Sequence, residues 1–378
     1  MKSKITLLAA ATAILALACS FSSSRKAAPG ELLDPAAFET EIDGKPVSLY
    51  TITNGVITVQ ITNFGGYIVG IYAPDRDGHY VNVVGHNDSI EQYRGFSRNP
   101  CGSATGPFAN RIANGSFTLD GIKYELTKNN GQHTLHSGSH GFGSIVWDVE
   151  KVKRNKLVLS CLCADGLDGF PGNRRTVLTF TVTKDNGVSL TFEATTDKPT
   201  VVNMTHHAYF NLDGFEQGDM LEHILTVNAD SITETDQANI PTGKFLPVDG
   251  TAFDFRKGVK IGDRQAKMPE MRFVPGQMPQ MPPVPEGMVR NYDSNFCLNH
   301  TKSGKVEPVA SLYSPKSGRL MEVLNNHPGI QIYTGGRNAV ALESQMYPDS
   351  PNHPEFPSTT LRPGEKYEHT VIYKFSVK

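Results

Sequence analysis

Five short segments concentrate the residues able to move protons or hold a polar ligand. The first, Gly106–Gly115, sets Asn110 and Arg111 in a turn-rich stretch. A guanidinium there can pin a hydroxyl or carboxylate through its planar fork, although an Arg in a turn is often only a solvated surface charge. The second, His133–Gly138, carries His136, and the third, Asn203–Leu212, carries His206 and His207. A neutral imidazole suits a hydrogen-bond donor or proton carrier near pH 7. Neither segment has a carboxylate or Cys at metal-ligand spacing or a helical H-E-x-x-H pattern, so no metal is expected. The fourth, Tyr292–Leu298, carries Asp293. The fifth, Ala341–Asn352, carries Glu343 directly after Val340-Ala341-Leu342. That apolar lead-in predicts a strand running into an irregular loop. A carboxylate there is partly desolvated and its pKa drifts upward, as a general base needs. An ordinary salt-bridged Glu is the plain alternative.

The elements that must position these residues read as short strands. Val56–Thr62 alternates, and Asn63-Phe64-Gly65-Gly66 ends it. Ser116–Leu119 and Ile122–Leu126 flank Asp120-Gly121, a strong hairpin signal. Arg175–Thr183 and Val188–Ala194 form a second hairpin across Lys184–Gly187. Lys156–Cys163, Val306–Ser314, Leu320–Leu324, Gly329–Thr334 and Thr370–Val377 are further predicted strands. Asp88–Tyr93 is a short helix candidate. Many strands without βαβ alternation predict an all-β fold, a large sandwich of antiparallel sheets packed face to face. No linker divides residues 31–378, which read as one domain.

The chain has 378 residues, with 36 Lys+Arg against 38 Asp+Glu. A formal charge of −2 supplies no field to attract nucleic acid, and none is expected as a partner. Gly 35 and Pro 24 favour turns over long helices. Residues 1–18 have the anatomy of a secretory signal: Lys2 and Lys4, an apolar run from Ile5 to Ala18, and a small-residue exit. The run is shorter than the roughly 20 residues that span a bilayer. Leu15-Ala16-Leu17-Ala18-Cys19 resembles a bacterial lipoprotein box, which would make Cys19 a lipidated N-terminus and residues 19–30 a tether. Simple cleavage and a free periplasmic protein is the alternative. Either way an exported bacterial protein is expected, touching a membrane only through that lipid and otherwise a monomer or weak dimer. Cys161 and Cys163 share one strand face, a poor geometry for bonding each other. Met268–Met288 carries five Met and six Pro. It reads as an exposed loop, with thioethers that would also suit copper(I).

Taken together, the motifs resemble those of the aldose 1-epimerases, the galactose mutarotases. The likeness runs in order from Asn63-Phe64-Gly65-Gly66 to Leu361-Arg362-Pro363-Gly364-Glu365. It implies the large β-sandwich of that family, the mutarotase supersandwich, and an enzyme that interconverts α and β anomers of free sugars such as glucose and galactose. It places the general acid on His207, within Thr205–Leu212, and the general base on Glu343, within Ala341-Leu342-Glu343-Ser344-Gln345. It places substrate contacts on Asn110, Arg111, His136, Asp293 and Gln331. Such a reaction needs a base on the O1 proton and an acid on the ring oxygen, and no cofactor. Three departures stand out. His206 replaces the usual Asn, Gly106-Pro107 replaces Gly-Arg, and Leu135-His136-Ser137-Gly138 replaces Leu-His-Gly-Gly. A non-catalytic sugar-binding module is one rival reading. A glycosidase using Glu343 and Asp293 is another, but it leaves His207 without a role. An epimerase of phosphorylated sugars would want a basic cluster, and Arg174-Arg175, the only adjacent Arg pair, opens a predicted strand.

Overall fold

A computed structural model describes residues 32–94, 102–215, 217–268, 291–300, 304–336 and 338–378. Cys19, the segments on either side of it, Cys101 and the Met/Pro segment beyond Met268 lie outside these residues. Met268 itself is fully buried in the main core.

Alternation along the sequence becomes burial in the structure. In Arg174–Val182 the side chains of Leu178, Phe180 and Val182 are buried, and those between them are more exposed. In Gly187–Thr196 the same holds for Val188, Leu190 and Phe192. The two strands pair antiparallel with Val182 opposite Val188, so both apolar sets share one face. Burying each such side chain is worth about 1.5–3 kcal/mol. The Asp120-Gly121 turn has positive φ at both residues, 51° and 79°, as a two-residue hairpin loop demands. It joins Ser116–Leu119 to Ile122–Glu125. The predicted helix is present as the single turn Ile90–Arg94.

Two antiparallel sheets dominate. One has nine strands, in the spatial order 148–153, 156–163, 174–182, 187–196, 367–377, 319–325, 307–313, 224–227 and 259–260. The other has six, in the order 209–210, 340–345, 329–333, 293–298, 229–235 and 241–247. Residues 49–53, 58–62, 68–74 and 80–82 form a smaller four-stranded sheet. Phe192, Val323 and Tyr373 of the first sheet meet Phe296, Ile330, Ile332 and Leu342 of the second in one apolar core. Ile52, Val59 and Ile71 extend that core into the four-stranded sheet. Arg319 crosses between layers with its charge buried. Its three guanidinium nitrogens donate to the carbonyls of Ala73, Leu212 and His79.

Candidate active site

The six-stranded sheet has two chemically different faces, because side chains alternate along each strand. Phe296, Ile330, Ile332, Val340 and Leu342 point into the core. Their neighbours Asp293, Asn295, Gln331, Glu343 and Gln345 point the other way. Register then sets these polar residues side by side, with Asn295 opposite Gln331 and Gln331 opposite Glu343. Glu343 therefore lies inside the strand Val340–Gln345, not at the entrance of a loop as the sequence suggested. The apolar run ends at Leu342 only because the outer face of this sheet is polar.

Glu343 is 1% exposed and His207 4% exposed. His207 Nε2 lies 3.3 Å from Glu343 Oε1. The backbone of His207 is held on both sides, its N–H donating to Ser103 O and its carbonyl accepting from Gly102 N–H. Tyr209 stacks on the imidazole at 4.9 Å. Behind Glu343, Tyr373 Oη donates to Leu342 O and His369 Nε2 to Ser344 O, pinning the peptides that flank it. Burial pushes the Glu343 carboxyl well up, reinforced by Asp293 and opposed by Arg111. Burial pushes His207 well down, reinforced by His136. Glu343 Oε2 and His207 Nδ1 are buried without a hydrogen-bond partner among the described residues. Such atoms in a native site call for a ligand or water.

His136 and Arg111 arrive together. Arg111–Ile112 pairs with Thr134–Leu135, so Arg111 faces Leu135 and His136 follows. The turns on either side use left-handed residues, Asn110 at φ 63° and His136 at φ 49°. Asn110 N–H donates to His136 Nδ1 at 3.1 Å, and His136 N–H donates back to Asn110 O. The Asn110 side-chain oxygen accepts from Arg111 N–H. Asn110 is buried and shapes the turn that aims its two neighbours. Asp349 holds the far side of Arg111, its N–H donating to Arg111 O and its carboxylate accepting from Ala113 N–H.

Asp293 completes the cluster. Arg111 reaches its Oδ2 at 3.3 Å, and Gln331 Nε2 donates to its Oδ1 at 2.6 Å. Gln345 Nε2 donates to Gln331 Oε1 and Asn295 Oδ1, which turns the Gln331 amide nitrogen toward Asp293. The fold thus gathers His207, Glu343, His136, Arg111, Asp293 and Gln331, with Asn110 behind them. Gln345 and Asn239, whose Nδ2 is 3.2 Å from Asp293 Oδ2, escaped the sequence reading. Only the alternation beyond Glu343 carried a signal for Gln345.

His136, His207 and Glu343 bring possible metal-ligand atoms within 4.8 Å of one another. The donor set does not suit a metal. His136 Nδ1 already accepts from a backbone N–H, so the neutral ring carries its proton on Nε2 and neither nitrogen offers a free lone pair. Burial and the nearby Arg111 lower His136 to about 3, which keeps it neutral. His206, which stands beside His207 where the family usually has Asn, faces the core. It is fully buried, its Nε2 donates to Gly66 O, and Phe180 meets it edge-on. It adds only the smallest of the influences lowering His207.

The family described as aldose 1-epimerase matches residues 48–374. Galactose mutarotase of Bos taurus is 34% identical over 349 residues, covering 88% of this chain and 94% of its own. Aldose 1-epimerase of Escherichia coli K12 is 33% identical over 351 residues, covering 88% and 96%. Among solved structures, an aldose epimerase homologue from C. elegans superposes with a TM-score of 0.76 at 28% identity, covering 88% of this chain and 99% of that one. Galactose 1-epimerase from Lactobacillus acidophilus gives 0.75 at 25% identity, covering 90% and 97%. The antiparallel architecture is that of the galactose mutarotase-like fold.

Proposed function

The chain belongs to the aldose 1-epimerase family and is an isomerase, and from that premise we propose that it interconverts the α and β anomers of free hexoses and pentoses, glucose and galactose among them. The observation that carries this reading is the buried Glu343–His207 pair at 3.3 Å. The pair shares one mobile proton. Burial favours the neutral acid beside the neutral imidazole. Its other tautomer, carboxylate beside imidazolium, has the same net charge and is the reactive one. A sugar hydroxyl on the unpartnered Oε2 of Glu343 stabilises that tautomer.

Glu343 then takes the O1 proton while His207 protonates the ring oxygen, and the C1–O5 bond breaks to give the open aldehyde. Rotation about C1–C2 presents the other carbonyl face. Closure reverses both transfers, with O5 attacking C1, His207 taking the O5 proton and Glu343 returning one to O1. Positioned acid–base groups typically supply about 10²–10⁴-fold each. His136 as a neutral donor, the Arg111–Asp293 pair and Gln331 orient the ring hydroxyls. A sugar that leaves these buried or half-buried groups unpaired binds poorly.

Polarimetry on freshly dissolved α-D-galactose and α-D-glucose tests the reading, with the spontaneous rate subtracted. Wild type is expected to speed the optical change, and Glu343→Gln and His207→Ala to lose at least about 10²-fold in kcat. Wild type indistinguishable from the blank on hexoses and pentoses would leave a sugar-binding scaffold as the reading. We further propose export and lipidation at Cys19. Palmitate label is expected in cells expressing the full chain and absent from Cys19→Ala; equal labelling of both, or of neither, contradicts it.

A further inference from the structure

Asp293 is the most heavily engaged polar group of the site. A carboxylate offers about four lone-pair positions. Gln331 fills one on Oδ1, and Arg111 and Asn239 fill two on Oδ2. One position is left, enough for a single ligand hydroxyl. Two of the three donors come from motifs already described. The third, Asn239, comes from the turn that joins the strands Ala229–Thr235 and Pro241–Pro247 at the edge of the six-stranded sheet.

That turn is built to hold its shape. Asp236 Oδ1 accepts from both Ala238 N–H and Ile240 N–H, and Asn239 N–H donates to Asp236 O. Ile240 is buried and anchors the far side. Asn239 sits at φ 58°, a left-handed conformation that Asn tolerates better than most residues. The turn thus fixes a half-buried carboxamide against Asp293. A carboxamide carries a donor and an acceptor. Its nitrogen is used on Asp293, and its oxygen is free to accept from a hydroxyl that donates there instead of to solvent.

We propose that Asn239 is a specificity-determining residue: with Asp293 it reads one sugar hydroxyl, and so sets which epimers the enzyme turns over efficiently. This rests on the anomer-interconversion reading. The hydroxyl has one proton to give: it donates that proton to the Asn239 amide oxygen, and Asp293, by holding the amide nitrogen, fixes where that oxygen points. A sugar lacking the hydroxyl, or carrying it on the other ring face, leaves that acceptor unpaired.

A set of deoxy sugars tests this on the full chain. kcat/KM is measured by coupled polarimetry for glucose, galactose and their 2-, 3-, 4- and 6-deoxy forms, in wild type and Asn239→Gly. Glycine accepts the positive φ, so the turn is kept. One deoxy position is expected to cost wild type about tenfold, the worth of one hydrogen bond, and to cost the variant less than about twofold. The change is expected in KM, with the other deoxy penalties unmoved. Asn239→Ser, which withdraws the carboxamide but keeps a side chain, is read the same way should the glycine variant be unstable. Deoxy penalties identical in wild type and variants, or one uniform loss across every sugar, overturn the proposal while leaving the reaction assignment intact. No turnover of any sugar by wild type overturns both.

Discussion

Replacing His206 by Asn, the residue usual in the family, should flatten the acid side of the stability profile. His206 is fully buried, with one ring nitrogen donating to Gly66 O and the other without a partner among the described residues. Burial lowers its pKa to about 4, against about 6.5 in an unfolded chain. Between these values the unfolded state binds a proton that the folded state refuses, so stability falls as pH falls through that window. One such group costs up to about 1.4 kcal/mol per pH unit. Between pH 6 and 5 its unfolded form is mostly protonated and its folded form mostly not, which gives about 1 kcal/mol. His369, lowered to about 3, and the other lowered histidines act in the same direction, and Glu343, raised, acts against them. These are common to both proteins and cancel in the difference. Urea unfolding at pH 6 and pH 5 should therefore show wild type losing about 1 kcal/mol more than His206→Asn. The absolute stability of the variant at neutral pH does not enter. Parallel losses in the two proteins would refute the placement of His206 as a buried neutral imidazole.

Gln345→Glu puts an acceptor against Gln331 Oε1, so the Gln331 amide must turn its oxygen to Asp293; KM should rise about tenfold with kcat within a few-fold. An unchanged KM would mean that Gln345 does not orient Gln331. Cys161, Cys163 and Cys297 are buried and unbonded. Their thiols should react with DTNB only on unfolding, and peptide mapping that finds any of them labelled in the folded protein contradicts that burial.

Much of this architecture was readable because local signals agreed with the global fold. Asp120-Gly121 and Asn186-Gly187 both close hairpins where turn chemistry predicts them. The motif resemblance named both residues of the buried His207–Glu343 pair and most of the polar cluster around it. What escaped reading depends on distance along the chain. Asn239 meets Asp293 across 54 positions, and in sequence it is one polar residue in an ordinary turn. The sequence suggests that the strand gives way to a loop at Glu343, because a strand with one core face and one polar face stops looking apolar. Nothing local distinguishes His206, which faces the core, from His207, which faces the site; strand pairing with Ala104 decides it.

The alternating face that carries Glu343 also ties catalysis to parity. An odd slip of Val340–Gln345 against Gly329–Tyr333 would drive Glu343 and Gln345 into the apolar core and bring Leu342 and Ser344 out. Folding itself rejects that error. A slip of two residues keeps every apolar side chain inside, yet carries Glu343 about 7 Å along the strand and out of reach of His207. Core packing discriminates weakly against that second error. The guard against it is side-chain hydrogen bonding, from Gln345 to Gln331 and Asn295 on the polar face and from Asn325 to the Ser344 hydroxyl on the other. The polar residues around this site therefore serve as an index mark for the strand, and their loss would yield a soluble, folded and silent protein.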